Sequence, residues 1–250
     1  MTPTPDRSTL DLGDFSVGGM LRAGLAIRQA VGGATTLEQA ATAVVQYFRD
    51  HCVDQATGER ACPLVRLYKT HPFGSLEPAL QAFAATRLGE LSPTPSMRCL
   101  TLVASAGEEP DWNSRHSSRG HRAIPLPSVE RVRAAPMIAR LIEALGVGLD
   151  SLLTGARAQN RGVPARSYDV FHVEEALGSP YIPSQHDFVI PYRIASVVGF
   201  GGLLRTGELF AVVLFSRVHV SARSAARFRA IALDVRSSLF AFDDASTWIP

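Results

Sequence analysis

Three cysteines are the residues of this 250-residue chain with the clearest potential for redox chemistry. Cys52 and Cys62 bracket the turn-rich segment VDQATGERA, which predicts two partly exposed thiols near each other. Such a pair could act as a redox catalyst, or close into a disulfide that serves as a switch in a reducing cytoplasm. Cys99 lies in the apolar run MRCLTLVAS and is predicted to be a buried, inert thiol. Because the spacings match no zinc pattern, we expect no metal site.

A second group of candidates lies in the polar segment EEPDWNSRHSSRGHRAIPLPS, residues 108–128. The segment is long for a simple connection, and it carries an aromatic ring, guanidinium groups and an imidazole at Trp112, Arg115 and His121. Such a segment could cover a pocket and present these groups to an anionic or aromatic ligand. The alternative is a solvated loop. His172, in the run SYDVFHV, could likewise contact a ligand or be a satisfied, half-buried histidine.

Three glycines crowd the first half of SVVGFGGLLRTGELFAVVLFS, residues 196–216. A phosphate-binding loop needs a lysine after its glycines, or the pattern G-x-G-x-x-G between a strand and a helix. Here the glycines lie inside one predicted strand and are followed by another, so the phosphate-binding interpretation fails. We predict instead that they leave room for a ligand against the sheet. The predicted contacts are Trp112, Arg115, His121, Tyr168, His172, Tyr181, Gln185, Gly199, Gly201 and Gly202.

The sequence offers little support for catalysis. His186 and Asp187 are adjacent, but no serine or cysteine lies in an elbow such as G-x-S-x-G, where a neighbouring base would activate it. We therefore expect a binding protein in preference to an enzyme.

The elements that position these residues follow from hydrophobic periodicity. Helical spacing is found in 15–31, in a helix that Thr35 or Thr36 caps, in 76–91, in a pair over 129–147 and in a closing helix over 221–242. Strand patterns are found in 62–71, 98–107, 167–173, 187–194, 197–204 and 208–217, the last two joined by an RTG hairpin turn. This order predicts an α/β chain of the α+β kind, with a central antiparallel sheet.

Composition narrows the classes of function. The net charge is +2, so nothing indicates the basic stripe of a nucleic-acid binder. No apolar run approaches the 18 or so residues that span a bilayer, so we expect no membrane contact. The polar amino-terminal segment is typical of neither a signal peptide nor a transit peptide, and the sequence predicts a cytoplasmic protein with a disordered arm at 1–14 and a tail at 246–250.

The carboxyl-terminal half resembles a GAF domain, a small-molecule sensor module of bacterial signalling proteins. The resemblance rests on YDVFHVEEALGSPYIP and on DFVIPYRIASVVGFGGLLRTGELFAVVLFS with the helix that follows. It implies one domain over 15–245 with an insertion at 107–166, helices packed on one face of the sheet, a small-molecule ligand of unknown identity, and a kinase or cyclase as downstream partner. The apolar stripes of helices 37–50 and 221–242 predict a homodimer through a helical bundle.

The sequence shares single features with two subfamilies of GAF domains, one that binds a bilin cofactor and one that is enzymatic. SPYIPSQ resembles the phytochrome signature, but Tyr181 replaces its aspartate and no cysteine follows Cys99 to attach a bilin. Free methionine sulfoxide reductases are thiol-based GAF enzymes, and the pair Cys52 and Cys62 keeps this as the alternative function, although both cysteines precede the first predicted strand.

Overall fold

The computed structural model describes residues 9–155 and 170–243. Within these residues it contains the strands β1 (Leu10–Asp11), β2 (Cys52–Val53), β3 (Leu64–Pro72), β4 (Arg98–Gly107), β5 (Ala123–Leu126), β6 (Phe171–Val173), β7 (Ser196–Leu203) and β8 (Leu209–Ser216). The last six form one antiparallel sheet in the order β5-β4-β3-β8-β7-β6, and β1 and β2 form a short parallel pair. The antiparallel sheet predicted from the sequence is therefore confirmed.

The helices of the described residues are α1 (Val17–Val31), α2 (Leu37–His51), α3 (Pro78–Thr86), α4 (Val129–Arg133), α5 (Pro136–Ala144), α6 (Leu149–Thr154), α7 (Ala222–Ala226) and α8 (Phe228–Leu239). Helix α2 starts where the sequence predicts, because the Thr36 side chain accepts a hydrogen bond from the amide of Gln39. The closing helix is formed by α7 and α8, with Arg227 between them.

Helices α2 and α8 pack on one face of the sheet, which we call the helix side, and α1 packs on α2 and α8. Phe48 of α2, Phe200 of β7 and Phe228 of α8 pack there with ring centroids 5.2–6.1 Å apart. All three rings are fully buried in a core that also holds the inner faces of α1 and α2. The predicted packing of the helices at 37–50 and 221–242 on one face is confirmed.

The opposite face, which we call the loop side, is covered by α5, α6 and parts of the connecting segments. Its buried residues include Leu102, Leu141 and Val213, with Trp112 and Phe188 packed against them. The insertion predicted at 107–166 thus contributes β5 and the helices α4, α5 and α6 to the domain. Because strand residues alternate between faces, the two sides of the sheet can carry different chemistry.

The segment DFVIPYRI is not the strand that the sequence predicts. It begins in a helical turn over Gln185–Val189, and the amides of Val189 and Ile190 donate to carbonyls five residues back, at 3.0 and 2.9 Å. Pro191 has no amide hydrogen for a strand ladder, and Arg193 has a positive φ of 54° that ends the turn.

The disordered arm predicted at 1–14 is also wrong for the residues described there. Leu10 and Leu12 are buried in the helix-side core, and β1 pairs with β2. Two leucines at alternate positions are enough to fix this short strand, because both side chains point into the same core. Residues 1–8 and the tail at 246–250 lie outside the described residues.

Candidate binding site

Two of the three strand glycines, Gly199 and Gly201, do not leave open space. A Cβ at Gly199 would lie 2.7 Å from Leu141 Cδ1 of α5, and a Cβ at Gly201 would overlap the Phe210 carbonyl of β8. Gly202 pairs with Phe210 and, by alternation, lies on the helix side with Phe200. The room predicted against the sheet is filled, because the glycines permit close approach of α5 and of the neighbouring strand.

Other predicted contacts are separated from one another. The His172 ring lies on the helix side, with Nε2 2.7 Å from the Val220 carbonyl oxygen. Tyr181 is 39% exposed. The Gln185 amide stabilises its own loop, donating to the carbonyls of Ala176 and Ile182 at 3.0 and 2.7 Å. Tyr168 lies outside the described residues.

Trp112 and Arg115 anchor the segment 108–128 to the domain. Trp112 packs on Gly107, where any Cβ would lie 2.8 Å from the Trp112 side chain, and its ring centroid is 4.5 Å from that of Tyr192. Arg115 is buried and forms ion pairs with Glu38 of α2 at 2.9 Å and with Glu77 at 3.2 Å. Both residues therefore fix the position of the segment, as a covering loop requires.

The strands bring together a set of polar side chains that the sequence analysis did not select. Arg66 and Tyr68 lie two residues apart on the loop side of β3, and Ser105 of β4 is the cross-strand partner of Arg66. Cross-strand partners have Cβ atoms about 4.5–5.5 Å apart. We call these three residues the Arg66 cluster. They are 9%, 7% and 8% exposed, respectively.

The hydrogen-bonding capacity of the Arg66 cluster is largely unused. Arg66 Nη1 donates to the Tyr68 hydroxyl over a long distance of 3.4 Å. Among the residues that the structure describes, neither Arg66 Nε nor Ser105 Oγ has a hydrogen-bond partner, and no carboxylate forms an ion pair with Arg66. A buried charge without a partner costs several kcal/mol.

The surroundings of the Arg66 cluster are apolar on the sheet and polar at its border. On the other side of Arg66, the cross-strand partner is Val213 of β8, and Leu102 pairs with Tyr68. Ser105 also lines a cavity of about 250 Å³ between α2, β4 and the segment at Asn113, but this cavity lies on the helix side and is not lined by Arg66 or Tyr68. Apolar neighbours around a few directed polar groups are the composition typical of small-molecule sites.

His121 lies at the rim of a second groove, of about 290 Å³, together with Arg87, Arg131 and Ile138. The pKa of His121 is lowered to about 4, although the residue is exposed. Desolvation by the surrounding chain is the main cause, and the positive charges of Arg66 and Arg87 add to it. His121 is therefore neutral at pH 7. It is also a predicted site residue whose pKa is influenced by the charge of Arg66.

The cysteines are not arranged for thiol catalysis. Cys52 and Cys62 form no disulfide and are fully buried, so the prediction of partly exposed thiols is wrong. Burial raises the pKa of Cys52 well above its usual value, and a hydrogen bond with Cys62 raises it further. Cys99 is buried as predicted, and burial raises its pKa to about 12. Thiols of this kind remain protonated at neutral pH and are poor nucleophiles.

Within residues 9–155 and 170–243, no group of three or more histidine, cysteine, aspartate or glutamate side chains could hold a metal ion. Over the same residues, the helices fall short of the length and apolar character that crossing a membrane requires.

No model of a known protein family matches the sequence. No curated protein matches it either.

Several solved structures are similar to the chain. The GAF domain of a phosphoenolpyruvate-protein phosphotransferase from Coxiella burnetii is 14% identical over 88% of this chain and 92% of that one, with a TM-score of 0.42. The phycoerythrobilin-bound GAF domain of a cyanobacterial phytochrome is 11% identical over 88% of this chain and 94% of that one, with a TM-score of 0.45. An N-acylhomoserine lactone-dependent LuxR-family transcription factor from Burkholderia cenocepacia is 13% identical over 92% of this chain and 98% of that one, with a TM-score of 0.42. By its own strand order and terminal helices, the chain has the α+β fold with a central antiparallel sheet that its sequence predicts.

Proposed function

We propose that the protein is a cytoplasmic regulatory module that binds a small molecule at the Arg66 cluster, on the loop side of the sheet beside the segment 108–128. The observation that carries this proposal is a buried arginine, tyrosine and serine whose donors are largely unused, set in an otherwise apolar sheet face. Polar groups that only support a fold are normally satisfied within it. Unused donors on one face are what a ligand would complete.

Binding without catalysis fits these residues better than the thiol-based alternative. A redox catalyst needs an accessible thiolate, whereas Cys52 and Cys62 are fully buried and the pKa of Cys52 is raised. Nothing in the Arg66 cluster is a nucleophile with a neighbouring base.

The segment 108–128 offers a route from the site to the helix side. Arg115 links that segment to Glu38 in the first turn of α2, and α2 packs against α1 and α8. A ligand that shifts the segment would shift α2 only if its affinity differs between two arrangements of these elements. A downstream kinase or cyclase would then detect the change at the terminal helices.

Removal of one hydroxyl tests the location of the site. Ligands would be found by thermal shift and calorimetry with nucleotides, haem and small aromatic molecules. We expect Tyr68→Phe to weaken binding of any ligand found by about ten- to a hundredfold, because one hydrogen bond to a charged group contributes about 1.5–3 kcal/mol. Tyr47→Phe is the matched control, since Tyr47 is equally buried but lies on the helix side. Equal affinities for wild type and Tyr68→Phe would place the ligand elsewhere.

A further inference from the structure

Arg66 also defines the class of the ligand, an inference that rests on the proposed function. We infer that the protein binds an apolar molecule with a single carboxylate, and that this carboxylate forms an ion pair with the Arg66 guanidinium.

The Arg66 guanidinium carries a buried positive charge. Arg66 is nine-tenths buried, and among the described residues its contact is the 3.4 Å hydrogen bond from Nη1 to the Tyr68 hydroxyl. A guanidinium stays protonated in proteins, so burial cannot neutralise it. Its charge must be compensated by an anion, and a planar carboxylate matches the two parallel donors of a guanidinium edge.

The charge of the site also limits the number of charges that the ligand carries. The Arg66 cluster supplies one cation, with the hydroxyls of Tyr68 and Ser105 as further groups for hydrogen bonding. His121 adds no charge at pH 7, because desolvation and the charges of Arg66 and Arg87 lower its pKa to about 4. One cation compensates a monoanion, whereas a phosphate ester with two charges would bury one without a partner.

The part of the ligand that carries the carboxylate would lie among apolar side chains. The neighbours of the Arg66 cluster on the sheet are Leu64, Leu102 and Val213, and all three are buried. These side chains can contact only apolar groups favourably. A ligand that pairs with Arg66 beside these side chains would therefore carry its carboxylate on an aliphatic or aromatic body.

The test compares three small probes on the wild-type chain at constant ionic strength. Benzoate carries the carboxylate, benzamide is its neutral isostere, and phenyl phosphate carries the higher charge. We expect benzoate to raise the melting temperature in proportion to the logarithm of its concentration, with at least a tenfold weaker effect from benzamide and from phenyl phosphate. Equal effects of benzoate and benzamide, or a stronger effect of phenyl phosphate, would overturn the inference.

Arg66→Met separates a ligand-binding arginine from a structural one. If the charge is uncompensated in the free protein, methionine should raise the melting temperature of the free protein by a few degrees and abolish the response to benzoate. If the chain itself compensates the charge, methionine should lower the melting temperature, and the inference is wrong. Arg205→Met is the control, because Arg205 is exposed in the hairpin turn and should change neither property.

The outcomes also distinguish this inference from the proposed function. A ligand whose affinity falls in Tyr68→Phe but not in Arg66→Met would leave the proposed function standing and reject the carboxylate. No response of any ligand to Tyr68→Phe would reject both.

Discussion

Arg66 and Arg115 are both buried arginines, and the contrast between them shows which of the two is available to a ligand. Arg115 has two carboxylates within 3.2 Å, so its charge is used to hold the segment 108–128 on α2 and on the start of α3. Arg66 has a tyrosine hydroxyl at 3.4 Å. Removing Arg115 would leave two glutamates without their cation, whereas removing Arg66 would leave one hydroxyl without a weak donor.

His71 gives the protein a titration that is independent of the proposed ligand. It is buried at the end of β3, where desolvation and then the charge of Lys69 lower its pKa to about 3. An unfolded histidine has a pKa near 6.5. Between these values the unfolded chain binds the proton and the folded chain does not, so stability is fully present above about pH 6.5 and falls as the pH decreases.

We therefore expect wild type to lose about 1 kcal/mol more free energy of unfolding than His71→Gln between pH 7 and pH 5.5, a range in which ordinary carboxylates stay ionised. Urea unfolding at the two pH values measures this difference. His116→Gln, at an exposed histidine, should behave like wild type. A His71→Gln protein with the wild-type pH dependence would show that His71 binds its proton equally well in the folded and unfolded states.

Among the secondary-structure elements, the sequence predicts the limits that depend on side-chain alternation and on helix capping. The strand Arg98–Gly107 has the predicted limits and the helix after Thr36 has the predicted start, because period-2 alternation and a threonine cap are local signals. The helical turn at Gln185–Val189 was missed because its apolar residues read equally well as a strand. The Arg66 cluster was missed for another reason. The alternation of Leu64, Arg66 and Tyr68 is visible, but only the pairing of β3 with β4 brings Ser105 beside Arg66.

The two loop-side glycines of β7 make the packing of elements testable. A Cβ at Gly201 would overlap backbone atoms of β8, which cannot move without breaking the sheet, whereas a Cβ at Gly199 would meet the end of the Leu141 side chain. We expect Gly201→Ala to cost about 3 kcal/mol or more in the free energy of unfolding and Gly199→Ala about 1 kcal/mol.

Chemical denaturation of both variants measures these costs. The double variant Gly199→Ala/Leu141→Ala should be no less stable than Leu141→Ala alone, because the shorter side chain makes room for the new methyl group. Similar costs at the two glycines would contradict the assigned contacts.

For the whole molecule, the arrangement of the terminal helices changes the predicted dimer in one respect. The apolar residues of α2 are buried in the helix-side core, except for Ala43, which is half-buried against it, so α2 has no free apolar stripe for a second copy. The exposed stripe lies on α1 instead, where Val17, Leu21 and Leu25 are at least 55% exposed at a spacing of four residues. Leu233 of α8 is also 52% exposed. It directly precedes Asp234, whose carboxylate lies against Gly24, the residue before Leu25.

We propose that a second copy of the chain covers this stripe. Residues four apart lie on one face of a helix, and two such faces related by a two-fold axis bury each other's leucines. A dimer built in this way would place α1 and α8 of both copies in one bundle, directly beneath the α2 that Arg115 connects to the proposed site. Ligand binding could then alter the packing between copies.

Leu21→Asp/Leu25→Asp tests this assembly. Two carboxylates in the stripe would be desolvated in the dimer and stay hydrated in the monomer, so we expect the dimer to dissociate with at least a hundredfold increase in its Kd. Sedimentation equilibrium measures the Kd, and circular dichroism checks that the fold is kept, since both side chains are already exposed. Ala30→Asp, an exposed position on the same helix and on the side away from the leucines, should dimerise like wild type. A wild-type protein that stays monomeric at high micromolar concentration would reject the dimer and with it the route from the site to the helical bundle.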